Sequence, residues 1–90
     1  MITDQTKLLE SAQHVSAILK QLSNPYRLMV LCCLANGELT VGDINEQVDL
    51  SQSALSQHLA KLRESEIVAT RRESQTIYYR IANQKIKYLL

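Results

Sequence analysis

The segment Asn24 to Gly37, NPYRLMVLCCLANG, constrains this chain more than any other. Asn24 followed by Pro25 reads as an N-cap with proline at the first helical position, where its missing N–H costs nothing. From Tyr26 to about Ala35 the helix contains LMVLCCLA and is apolar nearly all round. Such a helix is stable in water only when other elements cover it, so it is expected to be the buried centre of the fold. Asn36-Gly37 stops it, with Gly37 suited to the left-handed position that ends a helix. Ninety residues suffice for one small domain around this centre, and not for two.

The flanking segments supply the cover. Thr3 can cap a helix from about residue 4 to 22, whose Leu8, Leu9, Ala12, Val15, Ile18, Leu19 and Leu22 form one broad stripe. Thr40 with Asp43 resembles a capping box, opening a short helix that buries Val41, Ile44 and Val48. Gly42 inside it suggests close packing against its neighbour. Asp49-Leu50 reads as a tight turn. A second helix then runs from Ser51 to about Ser65, capped by Ser51, with Leu55, Leu59 and Leu62 at helical spacing on one face. After Glu66 the period changes. The β-branched and aromatic runs at 67–72 and 76–81, separated by Glu73-Ser74-Gln75, predict a β-hairpin. Asn83 can cap a last helix containing Ile86, Leu89 and Leu90. That helix ends on apolar residues with no stop signal, so it is expected to be cut short, its surface continued by further chain or by a partner. The fold class is mainly α with a small β-hairpin.

Two short helices joined by a few residues, the second polar on its outer face, match a helix-turn-helix, and the hairpin beyond it matches a wing. The outer face of the second helix carries Gln52, Ser53, Ser56, Gln57, Lys61 and Arg63. Gln and Ser can pair with base edges or phosphate oxygens, and Lys and Arg neutralise phosphates. Arg71, Arg72 and Arg80 would add cations from the wing, although cross-strand pairing with Glu73 or plain solubility accounts for them as well. Overall net charge is only +1, but its distribution is polar. Residues 1–50 hold three cations and six anions, a net −3, whereas residues 51–90 hold seven cations and three anions, a net +4. The second half is thus directed at a polyanion. No apolar run approaches the roughly 20 residues of a membrane span, and with charges scattered through the N-terminus no signal peptide is expected, so the chain is expected to stay in the cytoplasm. No glycine-rich phosphate loop, catalytic triad pattern or carboxylate pair in an apolar setting suggests an enzyme. No cofactor is indicated.

The helix order, helix-turn-helix, wing and final helix resemble the ArsR/SmtB family of winged-helix transcriptional regulators over residues 14–88. The resemblance is carried by LKQLSNPYRLMVLCCL (19–34), GELTVGDI (37–44), LSQSALSQHLAKLRESEIV (50–68) and the strand QTIYYRI. Within the family it resembles the HlyU/BigR-type branch, which answers to reactive sulfur species or oxidants. The resemblance implies a homodimer formed through the first and last helices. It also implies that each half reads half of an inverted-repeat operator in double-stranded DNA, with Ser51, Gln52, Ser53, Ser56, Gln57, His58, Lys61, Arg63, Arg71 and Arg72 as the DNA-binding set. Members act as repressors or anti-silencers. Metal-sensing members carry cysteines where this chain has Glu38-Leu39-Thr40-Val41-Gly42-Asp43, so no soft-ligand site is expected there. Others bind zinc through Asp and His residues of the last helix, where this chain offers Lys85 and Lys87. His58, in the pattern Ser56-Gln57-His58-Leu59, is expected to buttress the helix or touch a phosphate. Cys32 matches the branch's sensor cysteine, whose partner thiol lies near the end of the last helix, beyond Leu90 here. Adjacent Cys33 cannot serve as that partner, because neighbouring positions on a helix point about 100° apart. The residues alone also permit both cysteines to be small core hydrophobes. A protein-interaction module, or a constitutive repressor without a thiol switch, stays open as an alternative.

Overall fold

The computed structural model describes residues 4–90, so Thr3, the expected first cap, lies outside the described residues. Asp4 caps the first helix instead, its carboxylate accepting from the Thr6 N–H at 2.8 Å. The elements follow in the order α1 (Gln5–Leu22), α2 (Pro25–Leu34), β1 (Leu39–Thr40), α3 (Val41–Gln47), α4 (Gln52–Glu64), β2 (Val68–Glu73), β3 (Thr76–Ile81) and α5 (Gln84–Leu89). Local chemistry sets most of these boundaries. Asn24 accepts from the N–H groups of Tyr26 and Arg27. Thr40 and Asp43 form the reciprocal capping box, and Asn83 accepts from the Lys85 N–H. Gly37 adopts a φ of 145°, which a residue with a side chain rarely tolerates, and its N–H donates to the Leu34 carbonyl. Gly42 does not mark a close approach: a Cβ there would meet only the Thr40 hydroxyl at 3.8 Å, and nothing in the structure requires glycine.

The core is a single cluster. Val30, Leu31 and Leu34 of α2 meet Ile44 and Val48 of the α3 region, Leu55, Leu59 and Leu62 of α4, and Val68 and Ile81 of the hairpin, with Ile86 of α5 closing one end. α2 is therefore central but not buried on all sides as its composition suggested. Its 30, 31, 34 stripe is buried in this cluster and Cys33 packs partly against it, while Tyr26, Leu28, Met29 and Cys32 are exposed. The α1 stripe behaves similarly. Ile18 and Leu22 pack on the core, but Leu8, Leu9, Val15 and Leu19 are more than half exposed. The radius of gyration is 14.7 Å, against about 12 Å for a compact chain of this length. The chain thus leaves its first helix uncovered on one side.

The hairpin gains a third strand that its sequence did not announce. β1 pairs antiparallel with β3 through Leu39↔Tyr79 and Thr40↔Tyr78, giving the sheet order β1-β3-β2. β2 pairs with β3 from Val68↔Ile81 to Glu73↔Thr76. Beyond the Arg71↔Tyr78 row the sheet is only two strands wide.

Truncating Leu55, which is fully buried, removes part of the rail that orients α4. Leu55→Ala should cost about 2–5 kcal/mol in urea-induced unfolding. A loss below about 1 kcal/mol would mean that α4 is held in some other way.

Candidate nucleic-acid interface

α4 starts where Ser51 caps it, the hydroxyl oxygen accepting from the Ala54 N–H at 3.1 Å. Its three leucines sit inside the core, so helical geometry turns the other faces outward. Gln52, Ser53, Ser56, Gln57, Lys61 and Arg63 are all exposed on this helix. The turn before it is pinned by Asn45, whose side-chain amide donates to the Leu50 carbonyl at 2.8 Å. Nothing in the sequence pattern singled out Asn45, because a helix-surface asparagine carries no distinctive signature until the turn folds back to it.

His58 does not share that outward face. It is half-buried, and its Nδ1 accepts from Arg27 Nε at 3.2 Å. The Tyr26 ring stacks on it with centroids 6.3 Å apart. Arg27 also donates through Nη1 to the Gln21 side-chain oxygen. α4 is thus tied to α2 and the end of α1 by one polar chain. An acceptor Nδ1 puts the neutral imidazole's proton on Nε2. Burial pushes the His58 pKa below its ordinary value, and the nearby positive charges of Arg27 and Lys61 push it the same way.

The wing's two faces differ. Val68 and Ile81 are buried, so strand alternation puts Thr70, Arg72, Ile77 and Tyr79 on the core-side face and Ala69, Arg71, Glu73, Tyr78 and Arg80 on the outer one. Tyr79 accordingly lines a groove of about 450 Å³ with Ser56, Ala60 and Arg63 of α4. A second groove of about 330 Å³ joins Arg63 to Thr70, Arg72 and Ile77, with Arg71 also contributing. Arg63 and Arg72 thus frame one concave surface beside the polar face of α4. Among the described residues neither they nor Lys61 forms an ion pair. Arg71 differs. Its Nε donates to both oxygens of Glu38, at 2.8 and 2.9 Å, and its Nη1 to Glu73 at 2.8 Å. Its guanidinium lies 4.4 Å from the Tyr78 ring centroid. Glu73 and then Glu38 raise its already high pKa, so it stays charged at every accessible pH.

Cys32 is exposed on α2, whereas Cys33 is half-buried against the core. Burial, and secondarily the neighbouring Cys32, pushes the Cys33 thiol pKa up. That separates an accessible sulfur from a thiol kept protonated. Among the described residues no group of three or more His, Cys, Asp or Glu side chains is placed to hold a metal ion. No described helix is long and apolar enough to cross a membrane.

A recognition helix with a wing, carried on a helical body, defines a winged helix-turn-helix regulator. Residues 24–70 match the model of the bacterial regulatory protein arsR family. The chain is 45% identical over 73 residues to the transcriptional activator HlyU of Vibrio cholerae, covering 81% of this chain and 68% of that protein. The solved reduced form of HlyU shares its fold with a TM-score of 0.84 at 40% identity, over 92% of this chain and 87% of that one. The biofilm growth-associated repressor of Agrobacterium fabrum is 47% identical over 79 residues, 88% of this chain and 68% of the relative. A homodimeric winged helix-turn-helix DNA-binding domain from Mycobacterium bovis matches with a TM-score of 0.86 at 30% identity, over 99% of this chain and 82% of that one. The chain belongs to the ArsR family. It is a DNA-binding transcriptional regulator and not an enzyme.

The His58 contact has a pH signature. With its folded pKa below the unfolded value near 6.5, folded His58 binds fewer protons than unfolded His58. Its contribution to stability is therefore complete above that value and is lost as pH falls through the lowered folded pKa. Urea midpoints followed from about pH 8 to about pH 5 should fall more steeply for the natural chain than for His58→Gln. Parallel curves would show that the Arg27–His58 contact carries no proton linkage.

Proposed function

We propose that two copies of this chain form a dimeric repressor that reads an inverted-repeat operator, using α4 in the major groove and the wing beside it. The observation that carries this reading is the polar outer face of α4. Its short hydrogen-bonding side chains are exposed on a leucine rail and flanked by the cations Lys61, Arg63 and Arg72, which form no ion pair among the described residues. Gln52, Ser53, Ser56 and Gln57 take base edges, and the cations take phosphates. Ser51 contributes its backbone neighbourhood and hydroxyl proton at the helix start, and His58 aligns the helix from behind. The exposed apolar residues of α1, together with Leu89 of α5, support the dimer. Val15, Leu19 and Leu89 line an apolar groove of about 260 Å³ with Ile18, Leu22 and Ile86, and the Mycobacterium bovis relative is homodimeric. A two-fold pair of such helices spans half-sites about one helical turn, roughly 34 Å, apart. In this reading the protein works in the bacterial cytoplasm, where its operator is found.

The inducer in this proposal is a reactive sulfur species or oxidant, and Cys32 is the sensor. Its support is the exposure of Cys32 on α2, the helix that also holds α4 through Arg27 and His58. The Cys32 thiolate attacks a polysulfide S–S bond, which leaves a persulfide on Cys32 and releases a shorter polysulfide. A second thiolate can then displace hydrosulfide from that persulfide to close a disulfide, tethering α2 and shifting the spacing of the recognition helices.

Anisotropy titrations against DNA from upstream of the chain's own gene test both parts. Gln57→Ala should relax discrimination at one base pair by roughly 1–3 kcal/mol while leaving mixed-sequence binding unchanged. Uniform weakening on every duplex would remove Gln57 from base readout. Cys32→Ser should bind like the natural reduced protein and fail to respond to polysulfide. A variant that still releases DNA on polysulfide treatment would place the sensor elsewhere.

A further inference from the structure

We propose that Arg71 serves DNA binding as the positioning residue of the wing rather than as a phosphate contact, with Glu38 and Tyr78 as the groups that hold it. The register puts Thr40, Tyr78 and Arg71 in one row across β1, β3 and β2. Arg71 lies on the outer face of that row, away from the core face marked by Val68 and Ile81. Its guanidinium passes over the Tyr78 ring at 4.4 Å and reaches Glu38, the residue before β1. Nε donates to both Glu38 oxygens, at 2.8 and 2.9 Å. The side chain therefore straps the outermost strand of the wing to the opposite edge of the sheet.

The place of the strap matters more than its strength. Arg71 stands in the last row that has three strands, and the segment from Arg72 to Ile77 projects beyond it as a two-stranded ribbon. A two-stranded ribbon is marginal alone and takes its direction from whatever holds its base. Arg72, on the other face, is carried by that ribbon and lines the groove with Arg63. Arg71 also faces two carboxylates, since Glu73 accepts from its Nη1 at 2.8 Å. Two carboxylates thus already engage its guanidinium, and its charge is compensated within the cluster. A planar guanidinium can stack on Tyr78 while donating in two directions, and a lysine ammonium cannot.

The full chain is titrated with a labelled mixed-sequence duplex over a range of salt, so that the phosphate count is read from the slope of log affinity against log salt. Arg72→Gln should flatten that slope by about 0.9. Arg71→Gln should weaken binding several-fold at every salt concentration with the slope unchanged, and Arg71→Lys should behave like Arg71→Gln despite keeping the charge. Glu38→Gln should weaken binding as well, and the double variant should be no weaker than either single one. All three residues are at the surface, so these variants keep the core intact. A flattened slope in Arg71→Gln, natural-strength binding by Arg71→Gln or Arg71→Lys, or tighter binding by Glu38→Gln would each overturn the proposal. The last result would identify Arg71 as a phosphate contact that Glu38 holds back.

Discussion

Burial of Leu55, Leu59 and Leu62 against Val30, Leu31 and Leu34 fixes how α4 is rotated about its own axis, and the exposed polar face of α4 depends on that rotation. A helix with three apolar positions at i, i+4 and i+7 has one stable orientation on an apolar floor. Turning it would expose leucine and bury glutamine without a hydrogen-bond partner, which costs several times more than any surface contact returns. Once that orientation is set, Gln52, Ser53, Ser56 and Gln57 are presented together. The Arg27–His58 contact then adds direction to a surface that apolar packing alone leaves free to slide.

The wing depends on the same floor through its sheet. Val68 and Ile81 anchor the base of the hairpin in the core, and strand alternation passes that choice of face outward to residues with no core contact. Arg72 consequently joins Arg63 on the α4 side, while Arg71, one residue away, looks the other way and finds Glu38 and Tyr78. Two adjacent arginines of identical charge thus acquire different environments from a period of two. α1 and the outer side of α2 keep exposed leucines, methionine and tyrosine.

Much of this was legible from residues alone because the signals are local. Asn24-Pro25, the Thr40–Asp43 capping box, Ser51 and Asn83 all cap the helices that follow them, and the turn after Glu73 falls between two β-branched runs. Where the reading failed, the deciding contact was distant in sequence. β1 is a strand only because Leu39 and Thr40 meet Tyr79 and Tyr78, and two residues have no period to read. The expectation that α2 is buried all round rested on composition, which cannot show that one side lacks a neighbour. Gly42 inside α3 suggests close packing by type alone, and the open space around it contradicts that.

The sequence by itself determined where the helices and the two hairpin strands lie and which face of α3 and α4 is apolar, since caps, turn residues and periodicity act over a few residues. It also determined the class of partner, because the exposed Gln, Ser, Lys and Arg of one helix are chemically suited to a duplex whatever surrounds them. Only the tertiary structure decided which of the polar residues are free to meet that partner. His58, Arg27, Arg71 and Glu38 find each other across 31 and 33 positions of chain. No local pattern specifies such a meeting; it follows from where the leucine rail and the strand register place the backbone that carries them.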